Sequence, residues 1–208
     1  MNAVDVTLDR GIDALGLALG SAQVATLERY LDLLEKWNRV YNLTAIRDRA
    51  QMLTHHLLDS LAVVPHVRGP RVLDVGTGGG LPGIPIAIAC PAMTVTLLDS
   101  NHKKTAFLNQ AAAELPLPNV RVSAERIEAW SASERFETIV SRAFSDLAEF
   151  VTAAARLLAD GGRFVAMKGV HPFEEIERLP AGFVVNEVVK LHVPGLDAER
   201  HLVIVGRA

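Results

Sequence analysis

The 208-residue sequence holds one cysteine, Cys90, which excludes a disulfide framework and a cysteine-built metal cluster. Its place in an apolar run before Pro91 predicts a small core residue. An excess of either charge is also missing: 21 Lys and Arg against 24 Asp and Glu leave a formal net charge of −3. A nucleic-acid contact would therefore have to use a local patch. No apolar run approaches the roughly 20 residues of a membrane helix, so no membrane partner is expected. The first ten residues lack the basic and apolar regions of a signal peptide, and a cytoplasmic location is expected. There is no repeat, no low-complexity tract, no linker and no Walker motif G-x-x-x-x-G-K-[ST] to hold a nucleoside triphosphate.

What is present is organised around Arg71 to Gly83, R-V-L-D-V-G-T-G-G-G-L-P-G. A short apolar strand (Val72, Leu73, Val75) stops in a glycine-rich turn, and a helix opens from Pro82 to Ala89, with proline tolerated in its first turn. Before this unit the pattern is helical. Leu8, Ile12, Leu15 and Leu19 predict one helix over Thr7 to Leu19; Leu27, Tyr30, Leu31, Leu34, Trp37 and Val40 mark a second. A third carries Met52, His55, His56, Leu58, Asp59 and Ala62 and ends before Pro65. After it, strands are predicted at Thr94 to Leu98, Val120 to Val122, Thr138 to Val140, Arg163 to Met167, Phe183 to Leu191 and His201 to Val205. Helices fit at His102 to Leu115, Ile127 to Trp130 and Asp146 to Leu158. This alternation predicts an α/β, Rossmann-like doubly wound fold, with a seven-stranded, mostly parallel sheet and helices on both faces. The last two strands lack a helix between them and should pair as a hairpin with one strand antiparallel. Residues 1–68 form a helical extension in this reading, and 69–208 the sheet-bearing domain.

A strand, a glycine loop and a helix hold a nucleoside-bearing cofactor at the carboxyl end of such a sheet. Gly78, Gly80 and Gly83 formally match the dinucleotide spacing G-x-G-x-x-G. Asp74 argues against it, since a pyrophosphate would meet its negative charge, whereas a sulfonium and an ammonium would be attracted. The loop reads better as D-x-G-x-G-x-G over Asp74, Gly76, Gly78 and Gly80. Asp99 then stands at the tip of the next strand, about 20 residues on, where an acid grips ribose hydroxyls; its plainer role would be to cap the helix starting at His102. Together these residues point to S-adenosylmethionine. A nicotinamide oxidoreductase and a non-catalytic RNA-binding protein are the competing readings.

The segments W-N-R-V-Y-N-L-T (Trp37 to Thr44), H-L-L-D-S-L (His56 to Leu61), D-V-G-T-G-G-G-L-P-G-I-P (Asp74 to Pro85), L-L-D-S (Leu97 to Ser100), V-S-R-A-F (Val140 to Phe144) and M-K-G (Met167 to Gly169) occur in order. On these the chain resembles the RsmG (GidB) family of bacterial small-subunit rRNA guanine-N7 methyltransferases. The resemblance implies a class I S-adenosylmethionine-dependent methyltransferase fold, and methyl transfer to N7 of one guanine in 16S rRNA. It also implies a partner in the small ribosomal subunit or its assembly intermediate; a monomer is expected. Gly76 and Leu81 match the family's cofactor positions around the glycine loop, Asp99, Ser100 and Asn101 its ribose side, Ile127 and Glu128 the pair beside the adenine, and Arg142 the arginine after the fourth strand. Some relatives have Ala-Glu where this chain has Ile127-Glu128.

Guanine N7 already presents a lone pair, so no general base is required and catalysis should rest on positioning and electrostatics. The Asn/Asp-Pro-Pro-aromatic signature of amino-directed enzymes is replaced by V-S-R-A-F. Arg142 is the expected catalytic residue, holding O6, a phosphate or the cofactor carboxylate; its plain alternative is a salt bridge, for example to Asp146. Asn42, Thr44, His56, Asp59 and Ser60 either bridge the helical extension to the sheet or line the target pocket. His55 and His56 do not form a metal pair, because adjacent helical residues point about 100° apart and no third ligand is evident. Lys168, and a patch of Lys36, Arg39, Arg47 and Arg49, either meet RNA phosphate or remain solvated, while Lys103 and Lys104 read as a solvated helix face.

Overall fold

In the computed structural model, which describes residues 6–144 and 146–208, the unbroken apolar run Val72–Leu73 forms a central parallel strand, β1 (Arg71–Val75). Met1 to Asp5, half of the segment read above for signal-peptide character, lie outside the described residues. The other strands are β2 (Thr94–Leu98), β3 (Val120–Ser123), β4 (Phe136–Ser141), β5 (Leu158–Lys168), β6 (Phe183–Leu191) and β7 (Arg200–Arg207). They form one sheet in the order β3-β2-β1-β4-β5-β7-β6. β1 to β5 run parallel, and β7 is antiparallel to both β5 and β6, which is the predicted hairpin with β7 inserted inward.

One sheet face is covered by α5 (Gly83–Ala89), α6 (His102–Glu114) and the amino-terminal helices α1 (Leu8–Ala14) and α2 (Ser21–Tyr41). Their leucines share one core with Val72, Val95 and Val140 of the sheet. The opposite face packs Leu73, Val75 and Phe164 against Phe150 and Val151 of α7 (Leu147–Ala154). α2 also supplies caps that the core helices lack. Gln23 Nε2 donates to the Ile88 and Ala89 carbonyls at the end of α5 (2.7 and 3.1 Å), and Arg29 Nη2 to Glu114 O at the end of α6 (2.6 Å).

Several expectations need correction. The first helix stops at Ala14 in a Schellman closure, with Gly16 N–H bonded to Asp13 O and Leu17 N–H to Ile12 O. Ile127 to Ala129 make only a turn, in which Ala129 and Trp130 both donate to Arg126 O. Arg156 Nη2 donates to the Ile127 and Trp130 carbonyls, so those acceptors are already engaged. An unpredicted short helix, α8 (Phe173–Glu177), links β5 to β6. The third helix is composite: α3 (Arg49–Met52), a π-helical segment Leu53–Leu58, and α4 (Asp59–Leu61). Cys90 is half-buried at the C-cap of α5 rather than inside the core, and burial pushes its thiol pKa up. Among the described residues no helix is long and apolar enough to cross a membrane.

Candidate active site

Where β1 ends, the chain must turn sharply against β4, and glycine allows it. Gly76 has φ +68°, and a Cβ there would lie 2.6 Å from Ala143 Cβ. Asp74 is fully buried beneath this turn: its Oδ2 accepts from Thr77 Oγ1 (2.6 Å) and Gly83 N (2.8 Å). A Cβ on Gly83 would sit 2.2 Å from Leu97 Cδ2, so only glycine lets the start of α5 come this close. Burial pushes the Asp74 carboxyl up to about 6, against the pull of those two hydrogen bonds and of Arg142. Its Oδ1 is buried with no hydrogen-bond partner among the described residues. The loop is clamped from the other side by Tyr30 of α2, whose hydroxyl donates to Gly79 O at 2.6 Å; burial raises its pKa, so the proton stays. Tyr30 carried no functional signal beyond its place on a helical stripe.

Beside the loop lies a cleft of about 240 Å³. Gly76, Asp99, Ser100, Ile127 and Glu128 line it, as do Glu125, Arg126 and Phe144, which the sequence did not single out. Asp99 is aimed by two backbone donors, Gly78 N on Oδ2 and Asn101 N on Oδ1, both at 2.9 Å, with Lys104 Nζ 3.8 Å away. The helix-cap role considered for Asp99 falls to Asn101, whose Oδ1 accepts from Lys103 N and Lys104 N. Asp74 and Leu81 do not line the cleft; both are buried below the loop. Gly78 and Asn101 reach it only through Asp99.

Arg142 lines a second cavity, of about 350 Å³, with His55, His56, Asp59, Lys168 and Arg200. Its neighbours Ala143 and Phe144 line the first cleft, so one bend of chain after β4 contributes to both spaces. Arg142 Nη1 lies 3.2 Å from His55 O and 3.5 Å from Asp59 Oδ2. Asp146 is not its partner; that residue caps α7 and pairs with Arg178 at 3.2 Å. His56 bonds Thr44 Oγ1 through Nε2 (2.8 Å) and His55 O through Nδ1 (3.1 Å). Burial, with the nearby Arg142 charge, pushes its pKa down to about 4, so the ring is neutral. Lys168 pairs with Glu175 (2.6 Å) and also donates to Phe144 O. Two members of the basic patch Lys36, Arg39, Arg47 and Arg49 are neutralised by acids of α2, Arg39 by Glu35, and Arg49 by Asp32 and Glu35. Arg47 donates to Asn42 Oδ1. Among the described residues no three His, Cys, Asp or Glu side chains converge as a metal site would require.

The family model for rRNA small subunit methyltransferase G matches residues 23–203. The chain belongs to this family, GidB. Curated relatives agree. It is 58% identical over 199 residues to the ribosomal RNA small subunit methyltransferase G of Laribacter hongkongensis, covering 96% of each chain. It is 54% identical over 201 residues to that of Neisseria meningitidis serogroup B, covering 96% of this chain and 97% of the relative. Among solved structures, the fold matches the glycopeptide N-methyltransferase MtfA complexed with S-adenosyl-L-homocysteine (TM-score 0.64, 14% identity, 74% of this chain and 87% of that one). It also matches TrmN from Thermus thermophilus (TM-score 0.54, 21% identity, 72% and 47%).

This GidB chain is thus a class I methyltransferase, and S-adenosylmethionine is its methyl donor. The cleft fits that molecule. Gly76 offers backbone with no side chain at the sheet end, Asp99 keeps acceptor capacity after its two N–H bonds, and Leu98, Ile127 and Phe144 supply apolar wall. The dinucleotide reading of Gly78, Gly80 and Gly83 falls with the assignment. Gly83 N–H is consumed by Asp74 instead of facing a phosphate.

Proposed function

We propose that the chain methylates N7 of a specific guanine in 16S rRNA, acting as a cytoplasmic monomer on the small subunit or its assembly intermediate. Residues 1–68 are the helical extension and 69–208 the methyltransferase domain in this reading. When bound, S-adenosylmethionine supplies a methyl group on a positively charged sulfur. Asp99 and Ser100 serve the ribose side, with Gly78 and Asn101 holding Asp99 in place; Ile127 and Glu128 serve the adenine side, and Gly76 the backbone approach. Asp74 and Leu81 set the shape of the loop from beneath.

The observation that carries the reading is that one bend of chain serves both spaces: Ala143 and Phe144 line the donor cleft, and Arg142, the residue before them, lines a second cavity. A guanine placed in that cavity needs orientation and no deprotonation. The cavity matches that demand, since His56 is neutral and engaged by Thr44, and Asp59 is ion-paired. Arg142 keeps N–H donors for guanine O6 or a phosphate while leaving N7 exposed.

Arg142→Ala should lower methylation of small subunits by about tenfold or more while calorimetric affinity for S-adenosylmethionine is retained. Methylation at the parent rate would refute the assignment of this cavity. A short naked hairpin should be a poor substrate beside the intact particle, because a chain of net charge −3 has no overall attraction to phosphate. Equal rates on both would contradict recognition of the particle.

A further inference from the structure

Asp59 is the least exposed titratable side chain facing the second cavity, 1% exposed, and it meets two guanidinium groups at once. Arg200 Nε donates to Oδ1 at 2.9 Å, and Arg142 Nη1 approaches Oδ2 at 3.5 Å. The three residues come from three distant parts of the chain: α4, the bend after β4, and the first residue of β7.

We propose that Arg200 is a second RNA-contacting arginine of the target cavity, and that Asp59 positions it together with Arg142. This rests on the reading that the cavity receives the target guanine nucleotide. Arg200 uses Nε on Asp59 and Nη1 on Glu199 O (2.9 Å), which leaves Nη2 without a partner among the described residues. Arg142 spends only Nη1, on His55 O and Asp59. A guanidinium has five donors in a fixed fork, so both residues retain directed N–H groups while the carboxylate fixes their planes.

The charge count points the same way. One carboxylate faces two arginines, Lys168 is matched by Glu175, and His56 is neutral, which leaves a surplus positive charge in a partly enclosed space. Such a space accepts electronegative oxygen, guanine O6 or a flanking phosphate, and disfavours a cation. Burial alone would drive Asp59 toward its neutral form; the two arginines oppose that, and Arg200 is the larger of the two influences.

The test uses the full chain with undermethylated small subunits, and compares Arg200→Ala, Arg200→Lys, Asp59→Asn and the Arg200→Ala/Asp59→Asn double variant. Arg200→Ala should raise KM for the subunit by about tenfold, with unchanged affinity for S-adenosylmethionine by calorimetry. Arg200→Lys keeps the charge without the fork and should fall between. Asp59→Asn should show at least the same KM defect, and its effect should shrink once Arg200 is gone, leaving the part that passes through Arg142. A salt dependence shallower by about one ion in Arg200→Ala assigns the contact to phosphate, and an unchanged one to O6; either supports the proposal. An unaltered KM in Arg200→Ala beside a defective Arg142→Ala overturns the proposal and leaves the cavity reading standing. Parent-like methylation by both variants overturns the cavity reading itself. Full additivity in the double variant overturns the positioning role of Asp59.

Discussion

Lowering the pH from about 7.5 to about 5 sets two buried groups against each other. The His56 ring titrates at about 4 in the fold against 6.5 ordinarily. As pH falls through 6.5, the unfolded chain takes up a proton that the folded chain refuses, so stability is lost; at about pH 5 the loss is about 2 kcal/mol. Asp74 runs the other way, since its carboxyl titrates at about 6 in the fold against 3.8 ordinarily. The folded chain protonates it first, so stability is gained as pH falls through 6, by about 1.5 kcal/mol at about pH 5. Asp59, raised, and His66, lowered, add to the two sides. The parent protein should therefore change little over this range. His56→Gln removes the losing side and should gain about 1.5 kcal/mol between the two pH values, while Asp74→Asn should lose about 2 kcal/mol. At about 2–4 °C per kcal/mol for a chain of this size, the Tm changes of the two variants should diverge by about 10 °C. The slopes, not the absolute Tm values, carry the test, because each substitution also changes local hydrogen bonds. Parallel slopes for all three proteins in scanning calorimetry would refute the reasoning.

Tyr30→Phe leaves Gly79 O without its buried donor and should cost about 1–2 kcal/mol, seen as a lower Tm and a weaker affinity for S-adenosylmethionine; an unchanged affinity would mean the loop holds its shape without the clamp. Asp99→Ala frees Gly78 N–H and Asn101 N–H as well as removing the acceptor, so donor affinity should fall about tenfold or more in calorimetry; a parent-like value would remove Asp99 from the donor site.

The parts of the fold that were legible are those with a period or a punctuating residue. β1, β2 and β6 have the limits that apolar runs and their flanking turns predict, and the glycine loop stands where its composition placed it. Ile127 to Trp130 misled because four residues carry no testable period, and Arg156, far along the chain, engages the carbonyls. α8 has five residues and no buried side chain, so it leaves no hydrophobic stripe. The site divided the same way. Asp99 and Arg142 could be placed at strand tips from local order, and they stand directly after β2 and β4. The direction in which Asp74 points, the clamp from Tyr30 and the pairing of Arg200 with Asp59 depend on contacts between distant segments, and no local pattern encodes those.

The π-helical segment Leu53–Leu58 has a consequence for chain length. Its wider turn sets where Asp59 emerges, immediately after it, and leaves His55 O within reach of Arg142. Removing one residue would tighten the segment to an ordinary helix, in which five residues turn through about 500°, nearly what six turn through at the wider pitch. The carboxylate of Asp59 would then keep nearly its present direction toward both arginines, while the residues inside the segment changed places. A one-residue deletion in these six positions is therefore gentler on the aim of Asp59 than the same deletion in an ordinary helix.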